Sequence, residues 1–139
     1  MKGYRKVLIA VNGFHEVLEH GLKLAQDERT WVTVVKVIPP FEGDLNLTGI
    51  KNIEDVLNGE AGKIMAGIKE TAKAEGALIK TRLEEGDIPQ KIVEVAEEEN
   101  CDIIIMGAHK QSFIKKLLGL NVVEKVISLA TCPVLVVGA

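Results

Sequence analysis

The chain has 139 residues, of which 47% are hydrophobic, 27% charged and only 4% aromatic, and its formal net charge is −3. That length suits a single domain, residues 1–139, with a core large enough to need no disulfide or metal. The charge balance excludes a general nucleic-acid binder, and the lack of any apolar stretch of about 18 residues excludes membrane insertion.

Lys6 to Val11 is apolar after its first residue and ends at Asn12-Gly13, the pattern of a strand buried on both faces, β1. The segment Met1-Lys-Gly-Tyr-Arg-Lys6 leads into this strand rather than into the apolar run of a signal peptide, so a cytoplasmic protein is expected. From His15 to Asp27 the apolar positions Val17, Leu18, Gly21, Leu22 and Ala25 recur at helical spacing and predict α1. Trp31 to Ile38 is rich in β-branched residues and stops at Pro39-Pro40, which predicts β2. The connection over 39–52 is polar, contains glycine and exceeds the usual length of about 4–6 residues, so it is expected to act as a flexible flap.

Ile53, Val56, Leu57, Ala61, Ile64, Ile68 and Ala72 mark a long amphipathic helix, α2. Gly59, Gly62 and Gly67 weaken it by up to about 1 kcal/mol each, and Gly76 ends it. Leu78 to Glu84 alternates as an edge strand does, giving β3, and Asp87 is placed to cap α3, whose apolar face is Ile88, Ile92, Val95 and Ala96. Ile103 to Met106 is β4, closing on Gly107. Val122, Val123, Val126, Ile127 and Ala130 stripe α4, and Val134 to Val137 is β5. Strands alternating with helices under right-handed crossovers imply an α/β fold with a doubly wound, five-stranded parallel sheet covered on both faces. A ligand crevice then lies at the carboxyl end of the strands.

Catalytic groups are sparse. His109 and Ser112 lie three residues apart with no acidic orienter evident, neither Gly-x-Ser-x-Gly nor a full Walker loop is present, and no catalytic residue is assigned. His15 and His20 share a helix face poorly, and Cys101 and Cys132 have no zinc-ligand spacing, so no metal is assigned. The two cysteines read as small buried thiols.

Taken together, Val7-Leu-Ile-Ala-Val-Asn-Gly13, Val32-Thr-Val-Val-Lys-Val-Ile38, Gly86-Asp-Ile-Pro-Gln-Lys-Ile-Val-Glu-Val-Ala96, Asp102-Ile-Ile-Ile-Met-Gly107 and Glu124-Lys-Val-Ile-Ser-Leu-Ala-Thr-Cys-Pro-Val-Leu-Val-Val137 resemble the universal stress protein domain over essentially the whole chain. The resemblance implies a Rossmann-like sheet in the order 3-2-1-4-5 and a regulatory, stress-response role rather than an enzymatic one. It also implies homodimers through the last strand, here Val134, Leu135, Val136 and Val137. An apolar edge strand at that position independently asks for a cover.

Many members of that family bind ATP through a loop after β4 of the form G-x-x-G-x9-G-[ST], whose glycines let backbone approach phosphate. The equivalent positions here are Gly107, Lys110, Leu120 and Asn121, and Asn12 stands where an acidic residue usually follows β1. Side chains at 110 and 120 narrow the phosphate space, and Asn12 lacks a carboxylate's charge. ATP binding in the family's usual way is therefore not expected. The candidate crevice for an adenine nucleotide, ATP or AMP, held differently comprises Val11, Asn12, Val37, Met106, Gly107, His109, Lys110, Asn121, Val122 and Val123, with Asn121 able to cap α4. Lys115 and Lys116 read first as a solvated face. Two alternatives stay open: a nucleotide-binding switch of the same fold with residues 39–52 as its flap, and an accessory domain regulating a transporter or kinase.

Overall fold

Five runs of branched aliphatic residues form one sheet, with β1 at Lys6–Ala10, β2 at Trp31–Ile38, β3 at Leu78–Glu85, β4 at Ile103–Ala108 and β5 at Val134–Gly138. A computed structural model defines them and describes residues 5–11, 15–25, 30–38, 66–67, 70, 78–108 and 118–138. The strand order is β3-β2-β1-β4-β5 and every pairing is parallel, as expected for the alternation of strands with helices. Helices α1 (His15–Leu24), α3 (Ile88–Glu98) and α4 (Leu118–Leu129) cover it. Within the span expected for α2, Ala66, Gly67 and Glu70 are helical; the rest of that helix, and the segment 39–52, lie outside the described residues.

Strand alternation divides the core in two. Val7, Ile9, Val32, Val34, Ile103 and Ile105 face α1 and meet Val17, Leu18 and Leu22. Leu8, Ala10, Val35, Val37, Ile104, Met106 and Ala108 face α3 and α4 and meet Ile92, Val95, Val123 and Val126. Gly21 brings α1 close to the sheet, since a β-carbon there would stand 2.7 Å from Cδ1 of Ile9.

Three boundaries differ from expectation. β4 does not end at Met106, because Gly107 pairs with Val137 and Ala108 with Gly138, so β5 carries the ladder two residues further. The last turn of α1 closes at Ala25, whose amide donates to Gly21 at 3.0 Å. α4 begins at Leu118, three residues before Asn121, which therefore sits in the first turn and not at the cap. Ile127, expected in the buried stripe of α4, is 54% exposed, and Leu129 is 50% exposed. The stripe is centred on Val123, Val126 and Ala130, and at about 100° per residue Ile127 and Leu129 fall on its two flanks.

The β3–α3 turn is built as its sequence suggests. The Asp87 side chain accepts from the Gln90 amide at 3.3 Å, and Pro89 occupies the first turn where no donor is required. Gly86 has φ +150, which side-chain-bearing residues rarely adopt, and its amide donates to Ile38 at 3.0 Å. Gly86→Ala is expected to destabilise the protein by about 1–3 kcal/mol, read as a lower urea midpoint with an unchanged slope. At the other end of α3, Asn100 is left-handed with φ 54; its amide donates to Glu97 at 3.1 Å and the Cys101 amide to Ala96 at 2.8 Å. This paired closure ends the helix and fixes the backbone entering β4.

Asp102 performs a task that sequence spacing does not reveal. Its Oδ2 accepts from the amides of Arg5 and Lys6 at 3.0 Å each, and its own amide donates to Lys6 at 2.7 Å, tying the start of β1 to the start of β4.

The sheet's two edges are chemically opposite. On β3, Arg82 bonds Glu98 at 2.7 Å and Glu99 at 3.2 Å, while Lys80 reaches Glu99 at 2.7 Å, so charged side chains tie this edge to α3. Partial burial pulls the Arg82 pKa down, but hydrogen bonds to Glu98 and Glu84 outweigh it and raise it; the Lys80 hydrogen bond lowers that of Glu99. Such an edge resists further pairing. β5 carries Val134, Leu135, Val136 and Val137, all half-buried, and no charge.

Candidate functional site

The carboxyl ends of the strands bring together only part of the expected crevice. Val37, Met106 and Val123 share the cluster under α3 and α4, whereas Val11 lies on the α1 face of the sheet. All four are at most 3% exposed, so they serve as core at the carboxyl end of the sheet. Val11 also closes the end of β1, its amide donating to Val35 at 2.9 Å. Gly107 is half-buried within the β4–β5 ladder, and Val122 packs half-buried beside Val123. Asn121 is helical, but its side chain lies outside the described residues, as do Asn12, His109 and Lys110.

Two cavities lie at the opposite, amino-terminal end of the sheet. One, of about 350 Å³, is lined by Lys6, Trp31, Val32, Thr33, Ile79, Lys80 and Glu99. Trp31 is 59% exposed there. The other, of about 310 Å³, has Val93, Ala96 and Ile104 as its apolar wall, Glu97, Asn100 and Thr131 as its polar part, and both cysteines. Cys101 and Cys132 are free thiols and half-buried, less enclosed than the small buried thiols expected. The reason is positional: each precedes its strand, at the rim of the core and not within it. Sequence reading missed this cavity because it joins the end of α3 to the starts of β4 and β5. Among the described residues, no cluster of three or more His, Cys, Asp or Glu is placed to hold a metal ion.

Burial, reinforced by the charges of Glu99, Cys132 and Asp102, pushes the Cys101 thiol up to about 12. Burial likewise raises Cys132. A thiol raised in the folded state contributes stability that is fully present below its unfolded value of about 8.5 and is lost as pH rises toward the folded value. Stability is therefore expected to fall as pH climbs above about 8.5, and Cys101→Ala is expected to flatten that decline, measured as urea midpoints at stepped pH.

A family model described as the Universal stress protein family matches residues 3–138. The chain belongs to the universal stress protein family. A universal stress protein of Methanocaldococcus jannaschii is 32% identical to it, over 96% of this chain and 82% of the relative. The solved structure of MJ0577, also a universal stress protein of Methanocaldococcus jannaschii, is 30% identical, covers 98% of this chain and 96% of its own, and superposes with a TM-score of 0.80. The universal stress protein of Archaeoglobus fulgidus, solved in complex with dAMP, is 26% identical with a TM-score of 0.67, over 96% of this chain and 97% of its own. Universal stress protein membership accounts for the sheet order. Among the described residues no helix is long and apolar enough to cross a membrane.

Proposed function

We propose that this chain is a cytoplasmic stress-response or regulatory domain that acts as a homodimer without catalysis of its own and does not bind ATP in the family's usual way. The observation that carries the reading is the segment after β4. Where the glycine-rich pattern places Gly and Ser or Thr, this chain has Leu120 and Asn121, and both fall within α4, which starts at Leu118. Lys110 likewise stands where the pattern has a glycine. Backbone approach to a triphosphate is thereby disfavoured.

Dimerisation is supported by the apolar β5 edge, which contrasts with the charged β3 edge, and by exposed Ile127 and Leu129 on α4 beside it. Mass spectrometry of small molecules released from freshly isolated, gently denatured protein tests the ligand part. No stoichiometric ATP is expected, and its presence would overturn the reading.

A second reading has one specific support, the relative in complex with dAMP. On it, the chain is a nucleotide-binding switch taking AMP or ATP at Val11, Asn12, Val37, Met106, Gly107, His109, Lys110, Asn121, Val122 and Val123, with residues 39–52 as the flap. Stoichiometric AMP in the same extract would favour it.

A further inference from the structure

We propose that Cys101 and Cys132 form a reversible dithiol–disulfide couple, closed by exchange with a low-molecular-weight disulfide that enters the cavity they share. Both side chains line the same 310 Å³ cavity and both pack against the cluster under α3 and α4, so they face the same side of the sheet. β4 and β5 are neighbouring parallel strands whose register begins with Ile104 beside Val134, so the residues leading into them, Cys101 and Cys132, enter the sheet side by side. A disulfide spans Cα atoms about 4.4–6.8 Å apart, a separation that the entries of two strands about 4.8 Å apart can supply. The hydrogen bond from the Cys101 amide to Ala96 holds that backbone in place.

Cys101 lies deeper than Cys132, which makes Cys132 the entry point. Its thiolate attacks one sulfur of the small disulfide, forming a mixed disulfide and expelling one thiolate, which takes up a proton. The Cys101 thiolate then attacks the Cys132 sulfur and expels the second half. The protein gives up two electrons and its two thiol protons, and the small disulfide leaves as two thiols. Glu97 at the cavity, together with the Glu99 and Asp102 charges acting on Cys101 against the single opposing charge of Lys6, favours a cationic disulfide over an anionic one. The closed bond joins the end of α3 to the start of β5, and it restricts the unfolded chain between residues 101 and 132.

The test equilibrates the reduced full chain with cystamine and cysteamine, then quenches with acid. The expected product is a chain not cross-linked to another and lighter by two hydrogen atoms, with a Cys101–Cys132 peptide link, no thiol titratable in denaturant, and a higher unfolding midpoint that reverts on reduction. Reaction with oxidised glutathione is expected to be slower. Cys101→Ala is expected to stop at a Cys132 mixed disulfide, whereas in Cys132→Ala the Cys101 thiol reacts about tenfold more slowly. Persistent mixed adducts in the wild type, links only between chains, or both thiols intact at equilibrium would each overturn the proposal.

Discussion

Leu8→Ala is expected to remove about 2–5 kcal/mol of stability, a large share of what a domain of this size possesses. Leu8 is 0% exposed on the central strand β1, flanked by β2 and β4, and belongs to the cluster that includes Ile92, Ile104 and Val35. Truncation deletes apolar surface and leaves a cavity that strands held on both sides cannot close by shifting. The urea midpoint should fall by about 1–2 M with little change in slope. Ile127→Ala supplies the contrast: its side chain is 54% exposed, and a change within about 0.5 kcal/mol is expected. Equal losses at the two positions would contradict the assignment of the core.

Val136→Pro is expected to weaken self-association by roughly ten- to a hundredfold while leaving the protomer folded. The Ile104 amide donates to the Pro133 carbonyl at 3.0 Å, and in a parallel ladder this alternation turns the amides of Val134 and Val136 away from β4. Proline at 136 therefore removes a donor from the open edge of the sheet and none from the β4–β5 ladder. In a two-fold pair of β5 strands the loss occurs twice. Sedimentation velocity should show a shift from dimer toward monomer with the far-ultraviolet circular dichroism retained. An unchanged sedimentation coefficient would place the interface elsewhere.

The strands were legible in the sequence because burial on both faces demands continuous branched aliphatic runs, as in Val7 to Val11 and Ile103 to Met106. The Asp87 cap was legible for a local reason, since its partner lies three residues away. What the sequence hid depends on neighbours distant in the chain. Asp102 reads as an ordinary residue before a strand until β1 is placed beside β4 and its carboxylate meets the amides of Arg5 and Lys6. The strand character of Gly107 was hidden because glycine ordinarily signals a turn, whereas here Val137 extends the ladder past it. Asn121 suggested a helix cap by residue type, yet the apolar Leu118 and Leu120 belong to the helix as well. At the carboxyl ends of the strands, composition does not reveal that alternation sends Val11 to one face of the sheet and Val37 and Met106 to the other.

The central claim, that this universal stress protein does not hold ATP in the family's usual way, is tested most directly by isothermal titration of the nucleotide-free chain with ATP. The account predicts no saturable heat in the micromolar range, because Lys110, Leu120 and Asn121 stand where the family's ATP-loop pattern has glycines and Ser or Thr. Stoichiometric binding of ATP at micromolar affinity would contradict it.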